Sequence, residues 1–327
     1  MNNKISIGQY IPTNSILHRL DPRIKIISLV LMLVSLFLIP INSNLSSLIM
    51  LGSLLVISFI LNLVAKIPFK KVIRGLKPLI FLLTFTFVIQ LFTIKEGNPI
   101  LNETLYLSFS SIGAILVLLV LYNVFKRGLP FRTILFFVIV FLVFYLQYLL
   151  PYGTIYKYQF APTDEGIIRG LFLFVRIMIT VLLTSLLTFT TMTTDLNFGF
   201  ESILKPLKII KVPVDVFAMM LSLILRYIPT LLFETDKIMK AQASRGLDFN
   251  ESKLKDKINQ MIALLIPIFL ISITRSEELS DAMEARGYVI GQRRTRIDEY
   301  KISIKDILTL TFSILVITAI IFIRIKL

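Results

Sequence analysis

Apolar residues fall along this chain in long unbroken blocks separated by short polar or charged links. The blocks at 24–40, 45–65, 78–94, 111–125, 131–150, 167–193 and 302–325 approach or reach the roughly 20 residues a helix needs to cross about 30 Å of hydrocarbon. In lipid a spanning segment must satisfy its own backbone, so such blocks predict helices. The pattern therefore predicts an all-α polytopic membrane protein with about seven transmembrane helices. Two further runs, 216–233 and 258–274, differ: each holds a proline (Pro229, Pro267) and leads into a charged stretch. These predict amphipathic helices lying at or below the cytoplasmic membrane face.

Charge sets the sidedness. Lys4, Arg19, Arg23 and Lys25 place the N-terminus in the cytoplasm, and the first block exits into an uncharged link at 40–44. The second returns to Lys66, Lys70, Lys71, Arg74 and Lys77, and the third leads out to a weakly charged link at 97–102. The fourth returns to Lys126, Arg127 and Arg132, the fifth leads out to a tyrosine-rich link at 151–165, and the sixth re-enters the cytoplasm. If 216–233 and 258–274 both spanned, the link between them would lie outside. It carries Lys237, Lys240, Arg245, Lys253, Lys255 and Lys257, which argues for keeping both runs on the cytoplasmic side. The last block puts the C-terminus outside, where Arg324 and Lys326 run against the rule. The chain divides accordingly into 1–110 with three spans, the hairpin 111–150, an outer link and sixth span at 151–193, a cytoplasmic segment 194–300, and a last span at 301–327.

Composition agrees with a membrane protein. The 327 residues are 56% hydrophobic, and the mean hydropathy of +0.82 is outside the soluble range. The net charge of +15 follows from basic links on one side of the membrane, so it does not call for nucleic acid. With no cysteine, disulfides, thiolate catalysis and cysteine metal sites are excluded. The chain has no G-x-x-x-x-G-K-[ST] loop to cradle ATP phosphates. Its only histidine, His18, reads as a hydrogen-bonding residue rather than a metal ligand. Acidic residues lie largely in 195–299, interleaved with Lys and Arg as on a solvated helix face. Within the sixth block Arg169 is near enough to the end to snorkel, whereas Arg176 must face protein or water. No catalytic residue, cofactor or metal is expected.

One phrase occurs twice, Ala-Gln-Ala-Ser-Arg-Gly at 241–246 and Ala-Met-Glu-Ala-Arg-Gly at 282–287. Each ends a run that begins apolar and becomes charged. Glycine just past a helix can adopt the left-handed backbone that stops it, leaving the preceding arginine at the tip. There a guanidinium offers a planar fork of donors to a carboxylate or backbone groove on a partner. Ala241, Ala243, Ala282 and Ala285 leave it standing clear. A single copy is explained by an arginine complementing the helix dipole. Two near-identical copies about forty residues apart favour a partner with two equivalent sites.

These residues resemble a family, the T components of energy-coupling factor (ECF) transporters, the EcfT and CbiQ-type transmembrane subunits. The resemblance rests on Gly8-Gln9-Tyr10, Ser15 with His18-Arg19-Leu20-Asp21-Pro22-Arg23, Leu187-Thr188, and Thr194-Asp195-Leu196. It continues through Lys205-Pro206-Leu207, Arg226-Tyr227-Ile228-Pro229, both arginine phrases, Tyr288 and Arg294-Thr295. It covers most of the chain. It implies a non-catalytic subunit in the cell membrane that binds two cytoplasmic ABC-type ATPases and one or more substrate-binding S components. These capture a vitamin, a cofactor precursor or a metal ion such as cobalt. The resemblance carries the ATPase-coupling role to Ala243, Arg245, Gly246, Ala285, Arg286 and Gly287.

On the apolar halves of the same two helices, Met219, Met220, Leu223, Ile266 and Phe269 are expected to form an adaptable surface beneath an S component. Core packing of those residues is the competing reading. The chain departs from the family pattern at 111–150, an inserted hairpin that preserves the sidedness of everything after it. Two rivals stand beside the coupling role. A stand-alone permease would need a polar path, for which Arg176, Gln90 and Gln147 are thin material, and a membrane enzyme would need an acid, base or metal cluster.

Overall fold

The computed structural model describes residues 10–13, 15–41, 44–100, 103–125, 132–149, 152–246, 254–289, 292 and 300–326. Lys4, Gly8 and Gln9, the Lys126–Pro130 link, Lys253 and Arg294-Thr295 lie outside them. The order is α1 (Pro22–Leu38), α2 (Leu45–Val64), α3 (Phe69–Thr93), β1 (Glu103–Ser108), α4 (Phe109–Phe125), α5 (Arg132–Leu149), β2 (Thr154–Phe160), α6 (Asp164–Thr190), α7 (Thr193–Leu204), α8 (Val214–Ser244), α9 (Leu254–Ala285) and α10 (Ile304–Lys326).

Every apolar block of the sequence is a helix, and the fold is that of an all-α polytopic membrane protein. Four of the described helices, α2, α6, α8 and α10, are long and apolar enough to cross a membrane. Length therefore does not keep α8 at the membrane face; the argument for that placement is the charge of its second half. Helix α3 begins at Phe69, so Lys70, Lys71, Arg74 and Lys77 belong to its first turns rather than to a link. Hydrophobicity marks the lipid-soluble part of a helix, not the polar extension that emerges from it. Two features were not expected. Helix α7 occupies 12 residues between α6 and α8. The segments preceding α4 and following α5 pair as an antiparallel ribbon, Glu103 opposite Phe160 through Ser108 opposite Thr154, with an irregularity at Leu107/Ser108.

The chain forms two compact units. The first comprises residues 1–35, 59–68 and 182–327. Its core includes Leu20, Ile26, Met32, Leu182, Phe189 and Val316. Its polar centre is built from the Ser15–Arg23 motif. Asp21 accepts the Arg23 N–H at 2.9 Å, starting α1, while the Asp21 N–H donates to Asp306 Oδ1 at 2.8 Å. Asp306 Oδ2 also accepts the Ser303 N–H at 2.7 Å, starting α10. The Lys25 ammonium donates to the carbonyls of His18 and Thr190, both at 3.1 Å, and to Thr191 Oγ1 at 3.4 Å. Asp21, Lys25 and Asp306 are all buried. The motif therefore ties the starts of α1 and α10 to the end of α6.

His18 supports this knot as a neutral ring. Its Nε2–H donates to the Ile11 carbonyl at 3.0 Å, and its Nδ1 accepts from Ser15 Oγ at 2.6 Å. Burial lowers its pKa below the usual value; the Lys25 charge acts the same way, against the raising effect of the Ile11 carbonyl. With the folded pKa below an unfolded value of about 6.5, the unfolded chain binds more protons as pH falls. His18 thus contributes stability in full above that value, and the contribution shrinks as pH drops towards the folded pKa. Thermal midpoints in detergent from pH 7.5 down to 5 should fall less steeply for His18→Gln than for the parent chain.

Gly199 of α7 shows how tightly this unit closes. A Cβ there would stand 2.6 Å from Ile26 Cδ1 and 3.3 Å from the backbone carbonyl of Pro22. Gly199→Ala is expected to cost about 1–3 kcal/mol, read as a lower thermal midpoint.

The second unit comprises residues 36–58 and 69–181. Its core holds Leu36, Ile39, Leu54, Leu83, Phe172 and Ile179. Arg176, buried on α6, donates to the Ile39 carbonyl, with its guanidinium 5.0 Å from the Phe172 ring and 5.9 Å from Phe37. The arginine thus faces protein, as the cost of exposing it to lipid requires. Arg169, nearer the start of α6, pairs with Glu96 and Glu165 at 2.7 Å each. Serine and threonine hydroxyls along the helices of both units donate to carbonyls three or four residues back, as Thr84, Thr180 and Ser313 do. Their polarity is satisfied without leaving the helix.

Candidate functional site

Helices α8 and α9 carry both arginine phrases and belong to the first unit. Each phrase closes its helix as glycine chemistry requires. Gly246 has φ +89° and Gly287 φ +72°, in the left-handed region. A Cβ at either would meet nothing within 4 Å, so backbone conformation and not crowding selects glycine. At the second tip the Gly287 N–H donates to the Glu284 carbonyl at 2.9 Å and the Tyr288 N–H to the Met283 carbonyl at 3.0 Å. These two bonds form a Schellman closure. At the first tip the Gly246 N–H donates to the Ala243 carbonyl at 3.0 Å.

The closures leave Arg245 and Arg286 one residue beyond the last helical residue, Ser244 in α8 and Ala285 in α9. Both arginines are exposed, as are Ala243, Gly246, Ala285 and Gly287. Among the described residues no hydrogen bond or ion pair engages either guanidinium. A charged fork held at a fixed helix end, with its donors unused, is suited to bind an acceptor on another molecule.

The other residues singled out lie on the first halves of the two helices. Met220, Ile266 and Phe269 are exposed, Phe269 by 66%, while Met219 and Leu223 are half-buried. Packing within this chain therefore does not account for the first three. Phe217, Ile224, Met261 and Leu265 extend the exposed apolar surface. A surface of this extent is covered by lipid or by another protein. Pro229 and Pro267 sit inside the helices and deprive the Leu225 and Ala263 carbonyls of their usual donors.

Two contacts that support these arms were not read from the sequence. Asn197 of α7 donates to the Ala218 carbonyl at 3.2 Å and to Ser222 Oγ at 2.7 Å, fixing the first part of α8. Arg275 of α9 donates to Glu234 of α8 at 3.0 Å. The first had no signal in the sequence, because α7 itself was not expected. The second was one charge pair among many. Among the described residues no group of His, Asp and Glu is arranged to hold a metal ion.

Comparison with known proteins covers nearly the whole chain. Residues 100–297 match the family CbiQ, described as cobalt transport protein. The energy-coupling factor transporter transmembrane protein EcfT of Bacillus subtilis is 33% identical over 324 residues, covering 98% of each chain. The protein of the same name from Clostridium kluyveri is 34% identical over 309 residues, covering 94% of this chain and 92% of that one. The one from Staphylococcus aureus is 34% identical over 314 residues, covering 96% and 95%.

Proposed function

The chain belongs to the EcfT and CbiQ family, the transmembrane T components of energy-coupling factor transporters, and from that premise we propose that it passes motion from two cytoplasmic ABC-type ATPases to an S component. The observation that carries this reading is the pair of glycine-capped, unoccupied arginine tips. Arg245 and Arg286 dock in equivalent grooves, one on each ATPase. ATP binding and hydrolysis bring the two ATPases together and apart, and the tips follow. Ala243, Gly246, Ala285 and Gly287 let the groove walls approach closely. The chain hydrolyses no ATP itself, and it resides in the cell membrane with its N-terminus and both arms on the cytoplasmic side.

Motion reaches the membrane through the arms. Pro229 and Pro267 interrupt the backbone ladder within the apolar parts, ahead of the charged ends, and let each arm bend there. Met219, Met220, Leu223, Ile266 and Phe269 form the surface on which the S component rests; the thioethers repack to accept more than one partner. Recognition of the vitamin, cofactor precursor or metal ion lies in the S component.

Purification of the tagged chain in mild detergent tests this reading. Two nucleotide-binding subunits and a small membrane protein should accompany it. Alanine at Met220, Ile266 and Phe269 together should lose the small membrane protein while retaining the ATPases. Uptake by the chain alone in vesicles, with no ATPase ever recovered, would overturn the coupling role in favour of a permease.

A further inference from the structure

The Glu234–Arg275 contact joins the arms at matched points. Eleven residues separate Glu234 from Arg245 on α8, and eleven separate Arg275 from Arg286 on α9. At 1.5 Å of rise per residue each tip therefore extends about 16 Å beyond the contact. Eleven residues are also about three helical turns, so each arginine leaves its helix on nearly the same side as the clamping residue behind it. Both prolines lie on the other side of the contact, Pro229 before Glu234 and Pro267 before Arg275. The bendable parts thus stand behind the join and the rigid parts in front of it. The pair is about two-thirds or more shielded, with side-chain exposures of 30% for Arg275 and 26% for Glu234. Among the described residues the other ion pairs of α8, Lys240 with Asp236 and Lys208 with Asp215, do not involve α9 and so do not link the arms.

We propose that Glu234 and Arg275 are positioning residues that fasten α8 and α9 into one lever of matched arm length, so that both arginine tips move together. This rests on the coupling role proposed above. Without the join each tip would swing about its own proline, and the motion of one ATPase would be absorbed by one arm. With it both arms turn about one shared pivot, so the tips are drawn together and apart in concert as the two ATPases close and open. The pair acts on the coupling of hydrolysis to transport, not on capture of the ATPases, which the tips perform.

The test uses charge exchange. Glu234→Arg and Arg275→Glu each set like charges against one another, while the double exchange restores an opposite pair in reversed order. In vesicles holding the whole transporter, each single change should lower substrate moved per ATP hydrolysed by roughly fivefold, in keeping with the modest strength of a partly exposed pair. ATPase co-purification should be unchanged, and the double exchange should recover most of the loss. A second readout needs no partner. Because the chain has no cysteine, Ser244→Cys and Ala282→Cys give a single pair of spin labels near the tips. Their distance distribution should be narrow in the otherwise unaltered chain, broaden with Glu234→Gln or either reversal, and narrow again in the double exchange. Unchanged distances and an unchanged transport-to-ATP ratio in the single variants, or a double exchange no better than either, would overturn the clamp. Failure of the unaltered chain to bind ATPases would instead strike the coupling role and leave the distance measurement to decide the clamp.

Discussion

Arg245→Ala combined with Arg286→Ala is expected to abolish ATPase capture while leaving the chain folded. Each guanidinium is an exposed charged fork with no partner of its own among the described residues. Seated in a groove it has the character of an interface hot spot, where truncation costs about 2 kcal/mol or more, roughly thirtyfold in affinity. Losing both should weaken capture by about a thousandfold if the two sites act independently. The cost to the fold is small, because an exposed arginine at a helix end contributes about 0.3–1 kcal/mol through the dipole. The single variants should each retain one contact and fall between. The measurement is ATPase recovered per chain, with the thermal midpoint as the control. Substitution of Gly246 or Gly287 by alanine should weaken capture less, because it strains the cap by about 1–2 kcal/mol and leaves the guanidinium in place.

Asp306→Ala should be the most damaging change to the fold. Its carboxylate accepts both the buried Asp21 N–H and the Ser303 N–H, and it shares the buried surroundings of the Lys25 ammonium. Removing it leaves donors without an acceptor and a buried cation short of one compensating charge. Breaking such a buried arrangement from one side costs about 3–5 kcal/mol, a large share of the 5–15 kcal/mol that holds most domains. The expected result is sharply reduced yield from membranes and a thermal midpoint lowered by many degrees. Asp306→Asn keeps one acceptor and should recover part of the loss.

The fold was legible in the sequence wherever one physical demand dominated. A helix in hydrocarbon must be long and apolar, and each apolar block of the sequence is a helix, with α2, α6, α8 and α10 among the described residues long and apolar enough to cross a membrane. The tips were legible because glycine after a helix has one main conformational use, and the positive φ at Gly246 and Gly287 is that use. Arg176 was legible as facing away from lipid, towards protein or water, because lipid penalises it; protein is the outcome, with the side chain buried against Ile39, Phe37 and Phe172. Elements in water or at the interface were harder. Tyr156-Lys157-Tyr158-Gln159-Phe160 of β2 alternates, but β1 does not match it, and the pairing depends on two segments brought together by the helices between them. Helix α7 mixes polar and apolar residues over 12 positions, too few for a decisive period.

Side-chain partners distant in sequence were invisible for a different reason. Glu234 and Arg275 are 41 residues apart, and each has several alternative charges within reach of a helical turn. Asp306 at the start of α10 looks like an ordinary complement to a helix dipole, and only the packing of the N-terminal motif against it reveals the larger role. Exposure, too, was open in the sequence. Met220, Ile266 and Phe269 fit a core as well as a docking face until the structure left them uncovered.

Site-directed crosslinking from the two tips tests the coupling role most directly. Ser244→Cys and Glu284→Cys place a short photoreactive label beside Arg245 and Arg286 in an otherwise cysteine-free chain. In membranes carrying the whole transporter, each label should join the chain to a nucleotide-binding subunit, and both labels together should capture two such subunits on one chain. Yields that change between ATP-bound and nucleotide-free states would follow from grooves that move with closure. Labels that reach only lipid, or only the chain itself, with the arginines intact would contradict the coupling role and reduce Arg245 and Arg286 to helix caps.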